Sequence, residues 1–244
     1  LENSISPIID KIVSTGDIGW LTNKDKHELI GFFIVQNQRT RLARCNIERL
    51  LQNFVKRELK ILENMKQLPE PPKELLDSYK KKNTNILDNI NVEIEPNFIK
   101  YNIVSLLSDL PELVTIAIQN KVFCLIDNEK ELFYIGDTPA VMYNQKKFSP
   151  YGNIGFAVPF IEMYLPLSPR YSLFIYYDNS NNPKFKDLSL IKAVDGNITF
   201  MNYLQIAWAH RFVVSKNNNF DFAQKVLKEK PNIKDGSICK IIVN

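Results

Sequence analysis

The sequence predicts an α+β fold: a helical N-terminal half with one long helix, packed against a strand-rich C-terminal half. Three observations predict it. Residues 25–67 hold no Pro and a single Gly (Gly31), and their apolar residues recur at intervals of three and four. From Lys121 onward, short β-rich runs alternate with turn residues. A hydrophobic content of 45% and a charged content of 24% belong to a globular chain rather than a disordered one. We read the 244 residues as a single domain, with a helical part over 1–120 and a strand-rich part over 121–244.

The elements follow in order. Thr22 or Asn23 suits the N-cap of the run 25–67, which reads as one long helix or as two with a slight break. Pro69-Glu70-Pro71-Pro72 ends it, because Pro lacks the donor a helix needs. A second helix fits 72–89. A third fits Asn97–Asn120, where Pro111 kinks or splits it. Val122–Ile126 and Glu131–Ile135 flank the turn-like Asp127-Asn128-Glu129-Lys130 and read as a hairpin. Further short strands are expected at Ala140–Tyr143, Ile161–Leu165 and Tyr171–Tyr177, then a polar loop at Asp178–Pro183. Ile198–Ala209 returns to helical period. Phe212–Ser215 is short and β-like, Asp221–Lys230 is a helix, and Ile238–Val243 is a last strand.

Composition narrows the function classes. The formal net charge is +4 with a pI near 8.8, too weak alone to imply a nucleic-acid partner. Cys45, Cys124 and Cys239 are odd in number and far apart, which suggests neither a disulfide framework nor a zinc site and fits a reducing compartment. No apolar run reaches the roughly 18 residues that span a membrane, and no secretory signal is visible. A soluble, cytoplasmic protein with no membrane association is the expectation. The chain begins at Leu1 rather than Met, so a segment upstream of it is expected.

On a helical wheel of the first run, Leu29, Phe33, Ile47, Leu50, Leu51, Phe54, Ile61, Leu62 and Met65 share one face, the expected core stripe. Gln36, Thr40 and Arg44 lie on that same face, spaced by four, and Arg39 sits on the flank. A buried Arg must find an acceptor, and a buried amide needs partners. The ladder is therefore either a structural network or a pocket for an anion. Arg suits carboxylate or phosphate because its fork binds bidentately. Arg41, Arg49, Lys56 and Lys60 lie roughly opposite and read as solvated charge.

Other polar residues stand where polarity is costly. Asp137 follows a strand and precedes Thr138-Pro139, where it either closes an Asx-type turn or offers a carboxylate to a cleft, pairing with Arg39 or Arg44 or acting as a base or metal ligand. Ser168 lies between two prolines, as a structural turn or a presented hydroxyl. Asn202 opens a helix and reads as a cap. Glu162 sits in an apolar strand and needs a partner, such as an Arg of the helix, if its face is core. His27 and His210 are the two histidines, both near helix ends. No phosphate loop, dinucleotide fingerprint or His-Glu-x-x-His occurs, and no cofactor or metal is expected. Asp127, Asp137 and Glu162 have no spacing that specifies a metal nuclease.

Gln36-Asn37-Gln38-Arg39-Thr40-Arg41-Leu42-Ala43-Arg44 resembles the Q-x-x-R-T-P-x-x-R helix of the DUF4238 family, with Arg41 in place of the usual Pro. Phe133-Tyr134-Ile135-Gly136-Asp137-Thr138-Pro139-Ala140-Val141 is similar to its F-x-x-S-D-N-P-V segment, with Gly136 and Thr138 in place of Ser and Asn. Pro166-Leu167-Ser168-Pro169 matches its P-L-S-P. Asn202, Ala209 and Arg211–Ser215 fit its N-x-x-x…A-x-R-x-V-x-S stretch. Order and rough spacing agree over residues 25–216. Members usually carry a His-x-x-Pro-type segment upstream of this point, which these residues lack. The family is uncharacterised, so the resemblance implies no reaction.

Two functions follow as expectations. In the first, Gln36, Arg39, Thr40, Arg44, Thr138 and Asn202 line a polar pocket for a phosphate- or carboxylate-bearing ligand, with Asp137 and Ser168 as the catalytic candidates should it be hydrolysed. In the second, the same residues are a buried structural network in a non-catalytic module that contacts a protein or nucleic acid. The basic residues of 39–66, with Lys80–Lys82, would suit such a partner.

Overall fold

The computed structural model describes residues 2–70, 72–73, 91–130, 132–146, 154–178 and 184–234. The expected last strand, Ile238–Val243, and Cys239 lie outside the described residues, as does the expected helix over 72–89 beyond residues 72–73. The chain forms two compact units. One comprises Leu1–Leu42 with Leu106–Asn244, and the other Ala43–Ser105. The fold is α+β, with its helices concentrated in the N-terminal half and its strands in the C-terminal half.

Helix α1 spans Glu2–Thr15, where the sequence analysis assigns no element. Ile5, Ile8 and Ile12 recur on one face, and all are buried. Pro7 obscures the pattern, but the partner its missing N–H would reach is Asn3, in the first turn, so little is lost. Gly16 closes the helix in the left-handed region at φ +64°, donating its N–H to the Ile12 carbonyl at 2.8 Å. A Cβ at this glycine would collide with the Tyr171 hydroxyl.

Helix α2 spans Asn23–Gln38 and starts on a capping box. The Asp25 N–H donates to Thr22 Oγ1, and the Asp25 carboxylate accepts the Thr22 N–H at 2.8 Å. The run 25–67 is two helices, because the chain leaves helical geometry at Arg39-Thr40 before α3 begins at Arg41 and continues to Asn64. At the break the Thr40 hydroxyl donates to the Asn37 carbonyl at 2.8 Å, taking up a group that the helix end leaves open.

The run expected over Asn97–Asn120 is split beside Pro111 into helices α4 (Pro96–Ser108) and α5 (Leu110–Ala117), with Pro111 in the first turn of α5. Strands β1 (Lys121–Asp127), β3 (Val141–Asn144), β4 (Ile161–Pro166), β5 (Tyr171–Tyr177) and β6 (Ser189–Lys192) form one sheet in the order β3-β4-β5-β1-β6. All neighbours are antiparallel except β1 and β6. The two-residue strands β2 (Ile135–Gly136) and β7 (Val213–Val214) pair separately. Helix α6 spans Asp195–Trp208 and α7 spans Asp221–Glu229.

The expected hairpin between 122–126 and 131–135 does not form. β1 pairs with β5 and β6 instead, and Asn128 donates its N–H to the Arg170 carbonyl. Seven β-rich residues in each of β1 and β5 give a longer ladder than a hairpin with 131–135 could.

Strand alternation divides the sheet into two faces. Phe123, Leu125, Met163, Leu165, Leu173 and Ile175 share one, and each is almost fully buried. The α1 and α2 side covers it: Gly16 meets Tyr171, and the Lys26 ammonium lies over the Phe123 ring. The other face carries Tyr164, Phe174 and Tyr176 in a stacked row, met edge-on by Phe185 and by Phe200 of α6.

Lys121 starts β1 opposite Tyr177, and its ammonium nitrogen is buried without a hydrogen-bond partner, 4.9 Å from the Tyr177 ring centroid. Desolvation pulls its pKa down to about 8. A lysine whose folded pKa is depressed opposes folding while it is protonated, and the penalty is relieved as pH rises from about 8 towards the ordinary 10.5. Lys121→Met should therefore raise the melting temperature at pH 7. The wild type should gain on the variant between pH 8 and 10.5, and thermal melts across that range measure both effects.

Candidate functional site

The motif residues of the C-terminal half converge on residues 132–140, an irregular stretch that runs beneath α6. Its strand pairing is limited to the two residues of β2 against β7, so most of its buried backbone groups need other partners. Helix α6 begins at Asp195, so Asn202 is not a cap but a buried residue of the helix interior. Asn202 and Gln205 stand three apart and therefore on one face. Asn202 Oδ1 accepts the Tyr134 N–H at 2.9 Å, and its Nδ2 donates to the Leu132 carbonyl at 2.9 Å. Gln205 repeats the pattern, accepting the Gly136 N–H at 2.9 Å and donating to the Pro139 carbonyl at 3.0 Å. From α2, Asn37 Nδ2 donates to the Ala140 carbonyl at 2.9 Å.

Gly136 lets the segment approach. A Cβ there would stand 3.1 Å from the Gln205 carbonyl oxygen and 3.3 Å from Ala209 Cβ. Asp137 closes no local turn. Its carboxylate accepts the backbone N–H groups of His210 at 2.8 Å and Arg211 at 3.0 Å, just past the end of α6. Its nearest cation is the Arg211 guanidinium at 3.8 Å. Thr138 is buried beside it.

Ser168 Oγ accepts the N–H groups of Arg170 at 3.2 Å and Tyr171 at 2.9 Å, closing the turn between β4 and β5. The same turn offers the Pro169 carbonyl to the Phe133 N–H at 3.1 Å, so Ser168 supports the irregular stretch from outside.

Asp137, Thr138 and Asn202 are thus brought to one segment, with Ser168 beside it. Gln36 and Thr40 are buried at the end of α2, and Arg39, the residue that ends that helix, is exposed. Arg44 is an exposed residue of α3, in the unit Ala43–Ser105, so the helix break divides the Gln36–Thr40–Arg44 ladder. Within the expected set, Gln36 has a buried atom without a partner, its Oε1. An amide oxygen is an acceptor and calls for a donor, which an anion does not supply.

Two further carboxylates have environments of their own. Asp127 is buried at the end of β1 and receives Arg170 bidentately, Nε at 2.7 Å and Nη2 at 3.1 Å, with Lys192 at 3.4 Å. The Arg170 hydrogen bonds hold it below the usual carboxylate range. Glu162 takes no Arg. It accepts the Gln145 amide and the Tyr164 hydroxyl, each at 2.8 Å, and burial pushes its pKa up. Among the described residues no group of three His, Cys, Asp or Glu side chains is arranged to hold a metal ion. Asn37, Gln205 and Arg170 are absent from the sequence expectation. The spacing of Asn202 and Gln205 on one helical face is the signal that could have exposed the pair.

These features define an α+β protein in which the motif side chains of α6 and of the 132–140 segment are bonded to the chain's own backbone. By its sequence the chain belongs to the family described as protein of unknown function (DUF4238), whose model matches residues 1–219. No curated protein and no solved structure matches it. Among the described residues no helix is long and apolar enough to cross a membrane.

Asn202→Leu removes both bonds while keeping a similar volume. Leaving Tyr134 N–H and Leu132 C=O unpaired should cost about 2–4 kcal/mol, read from the midpoint of chemical denaturation. Glu162 gives a pH signature of opposite sense to Asp127. Its raised folded pKa means that its contribution is fully present below pH 4.5 and is lost as pH rises through the folded value. Glu162→Gln should then stabilise the protein at pH 7 and give no gain at pH 4, as thermal melts at the two values would register.

Proposed function

We propose that the chain is a non-catalytic binding module. Its motif residues build the scaffold, and the helical unit Ala43–Ser105 makes the contact with a partner protein. The bonds that Asp137, Ser168 and Asn202 make to backbone groups support the scaffold part, since they give each side chain a structural partner within the chain.

One observation carries the binding part. On α3 and its last turn Leu50, Phe54, Ile61 and Met65 are 54%, 59%, 41% and 59% exposed. At about 100° per residue they fall within an arc of roughly 60°. This is part of the stripe that the wheel reads as core, and it faces solvent. Helix α4 repeats the feature: Phe98, Tyr101 and Val104 are exposed, while Ile99 and Ile103, on the opposite side, are buried. Apolar stripes of this extent are contact surfaces rather than ordinary surface composition. Helix α3 carries six basic and three acidic side chains, and Arg57 borders the apolar arc, about 20° beyond Leu50. A protein surface with an apolar centre and an acidic rim complements it. Four aliphatic or aromatic side chains in a row favour a protein over nucleic acid, whose backbone would leave them wet.

A photo-crosslinking residue at Phe54, introduced into the full-length protein in cells, should trap one discrete acidic protein. Tyr101→Asp or Arg57→Glu should reduce that capture at least about tenfold without altering the circular dichroism spectrum. Failure to trap any protein above the level of a crosslinker placed at exposed Lys24 would sink the reading. Saturable binding of a single-stranded RNA oligonucleotide at physiological salt, lost in Arg57→Gln, would replace it with the nucleic-acid alternative.

A further inference from the structure

Asn202 and Gln205 fix one side of α6, and a different side faces α7. On α6 Gly196, Thr199, Phe200 and Tyr203 recur at i, i+3, i+4 and i+7. On α7 and its C-cap Phe222, Val226, Glu229 and Lys230 recur at i, i+4, i+7 and i+8. The two stripes enclose a cleft of ≈ 400 Å³, within the range of small-ligand sites. It lies wholly inside the unit that holds the sheet.

Its walls and rim differ in chemistry. Phe200, Tyr203, Phe222 and Val226 make the interior apolar and largely aromatic. Phe200 is held edge-on against Tyr143 at 5.0 Å and Tyr164 at 6.1 Å, so this wall is anchored in the aromatic face of the sheet. At the rim, adjacent in sequence, stand one cation and one anion. The Lys230 ammonium donates to the Tyr203 hydroxyl at 3.0 Å and lies 4.6 Å from that ring's centroid. Glu229 is exposed, and its nearest cation is Lys225 at 4.0 Å, a loose pair on the surface of α7. At the other end Gly196 leaves the cleft open, since a Cβ there would meet nothing within 4 Å.

We propose that this cleft binds a small aromatic zwitterion of the amino-acid class, its ring against Phe200 and Phe222, its carboxylate at Lys230 and its ammonium at Glu229. The aromatic walls select a flat ring over an aliphatic chain. The paired rim charges select a headgroup of both signs, because either charge alone would leave one rim residue without its complement. The inference is independent of the partner-binding reading, which concerns the unit Ala43–Ser105.

L-Tryptophan is the probe, titrated into the full-length protein and followed by amide NMR shifts. Resonances of residues 196–203 and 222–230 should move saturably with a Kd of about 1 mM or tighter. Indole-3-propionate lacks the ammonium and tryptamine lacks the carboxylate, and each should bind at least about fivefold more weakly. Gly196→Leu places a side chain in open space at the mouth. It should abolish the shifts while the melting temperature stays at or above that of the wild type, since Leu is a better helix former than Gly. Lys230→Gln should weaken tryptophan and spare tryptamine. Absence of saturable shifts up to the solubility of tryptophan overturns the site. Unchanged binding in folded Gly196→Leu overturns its location. Tryptamine or indole-3-propionate binding as tightly as tryptophan overturns the zwitterion.

Discussion

The structure depends on one constraint: residues 132–140 are largely buried and, apart from the two-residue pairing of β2 with β7, irregular, so most of their backbone polar groups must be met from elsewhere. Two amides of α6 supply most of what a neighbouring strand would have supplied. Asn202 and Gln205 each accept one N–H and donate to one carbonyl, so each acts as a short piece of β-partner projected from a helix. The arrangement fixes the depth of α6, because a carboxamide reaches backbone at one distance only. Gly136 eases it, since a Cβ there would press on the Gln205 carbonyl oxygen at 3.1 Å and the neighbours would have to give by a few tenths of an ångström. Asp137 then joins the segment to the chain just past that helix, and β2 can pair with β7.

Much of the architecture was legible in the sequence, and the limits fall at identifiable residues. The ranges of β1, β4, β5 and α7 follow from local period and punctuation. Thr22 is legible as a cap because a capping box is a local device. Pairing partners are not local, which is why the turn-like Asp127–Lys130 suggests a hairpin while the β1 ladder goes to Tyr171–Tyr177. α1 is hidden by Pro7, and β6 by its brevity and half-exposed alternation. In the candidate site, polar residues in apolar settings attract attention for a sound reason, as each must be satisfied. What satisfies Asn202, Asp137 and Ser168 is main chain, and for the first two it lies some seventy residues away, beyond the reach of any spacing rule. The wheel of the first helical run fails at Arg39-Thr40, since a wheel assumes an unbroken helix.

Charge is used sparingly inside this fold. Asp127 is the one carboxylate among the described residues that is both buried and met by two cations, and those cations, Arg170 and Lys192, remain in water. The sheet end is thereby pinned with a single charge desolvated rather than an ion pair. Lys26 reaches from α2 to Asp187 at 2.5 Å with the roles reversed, the cation being the more buried partner, while Asp187 also accepts the Phe123 N–H at 2.9 Å. Both devices sit at margins of the sheet. Its centre is built from Leu173, Ile175, Leu125 and Met163, all apolar and almost fully buried.

The unit that contains the sheet is discontinuous in sequence: Leu1–Leu42 belongs to it, Ala43–Ser105 does not, and the strands begin only at Lys121. During synthesis the helices α1 and α2 leave the ribosome well before the strands, and with them Ile5, Ile12, Leu29 and Phe33, which the finished fold buries. The first strand of the surface those side chains will cover begins only after nearly eighty more residues, and at about 5–20 residues per second that interval lasts seconds. For that time the apolar side chains of both helices lack the sheet that will bury them. Its demand on chaperones is set by the order of its segments as much as by the stability of the finished fold.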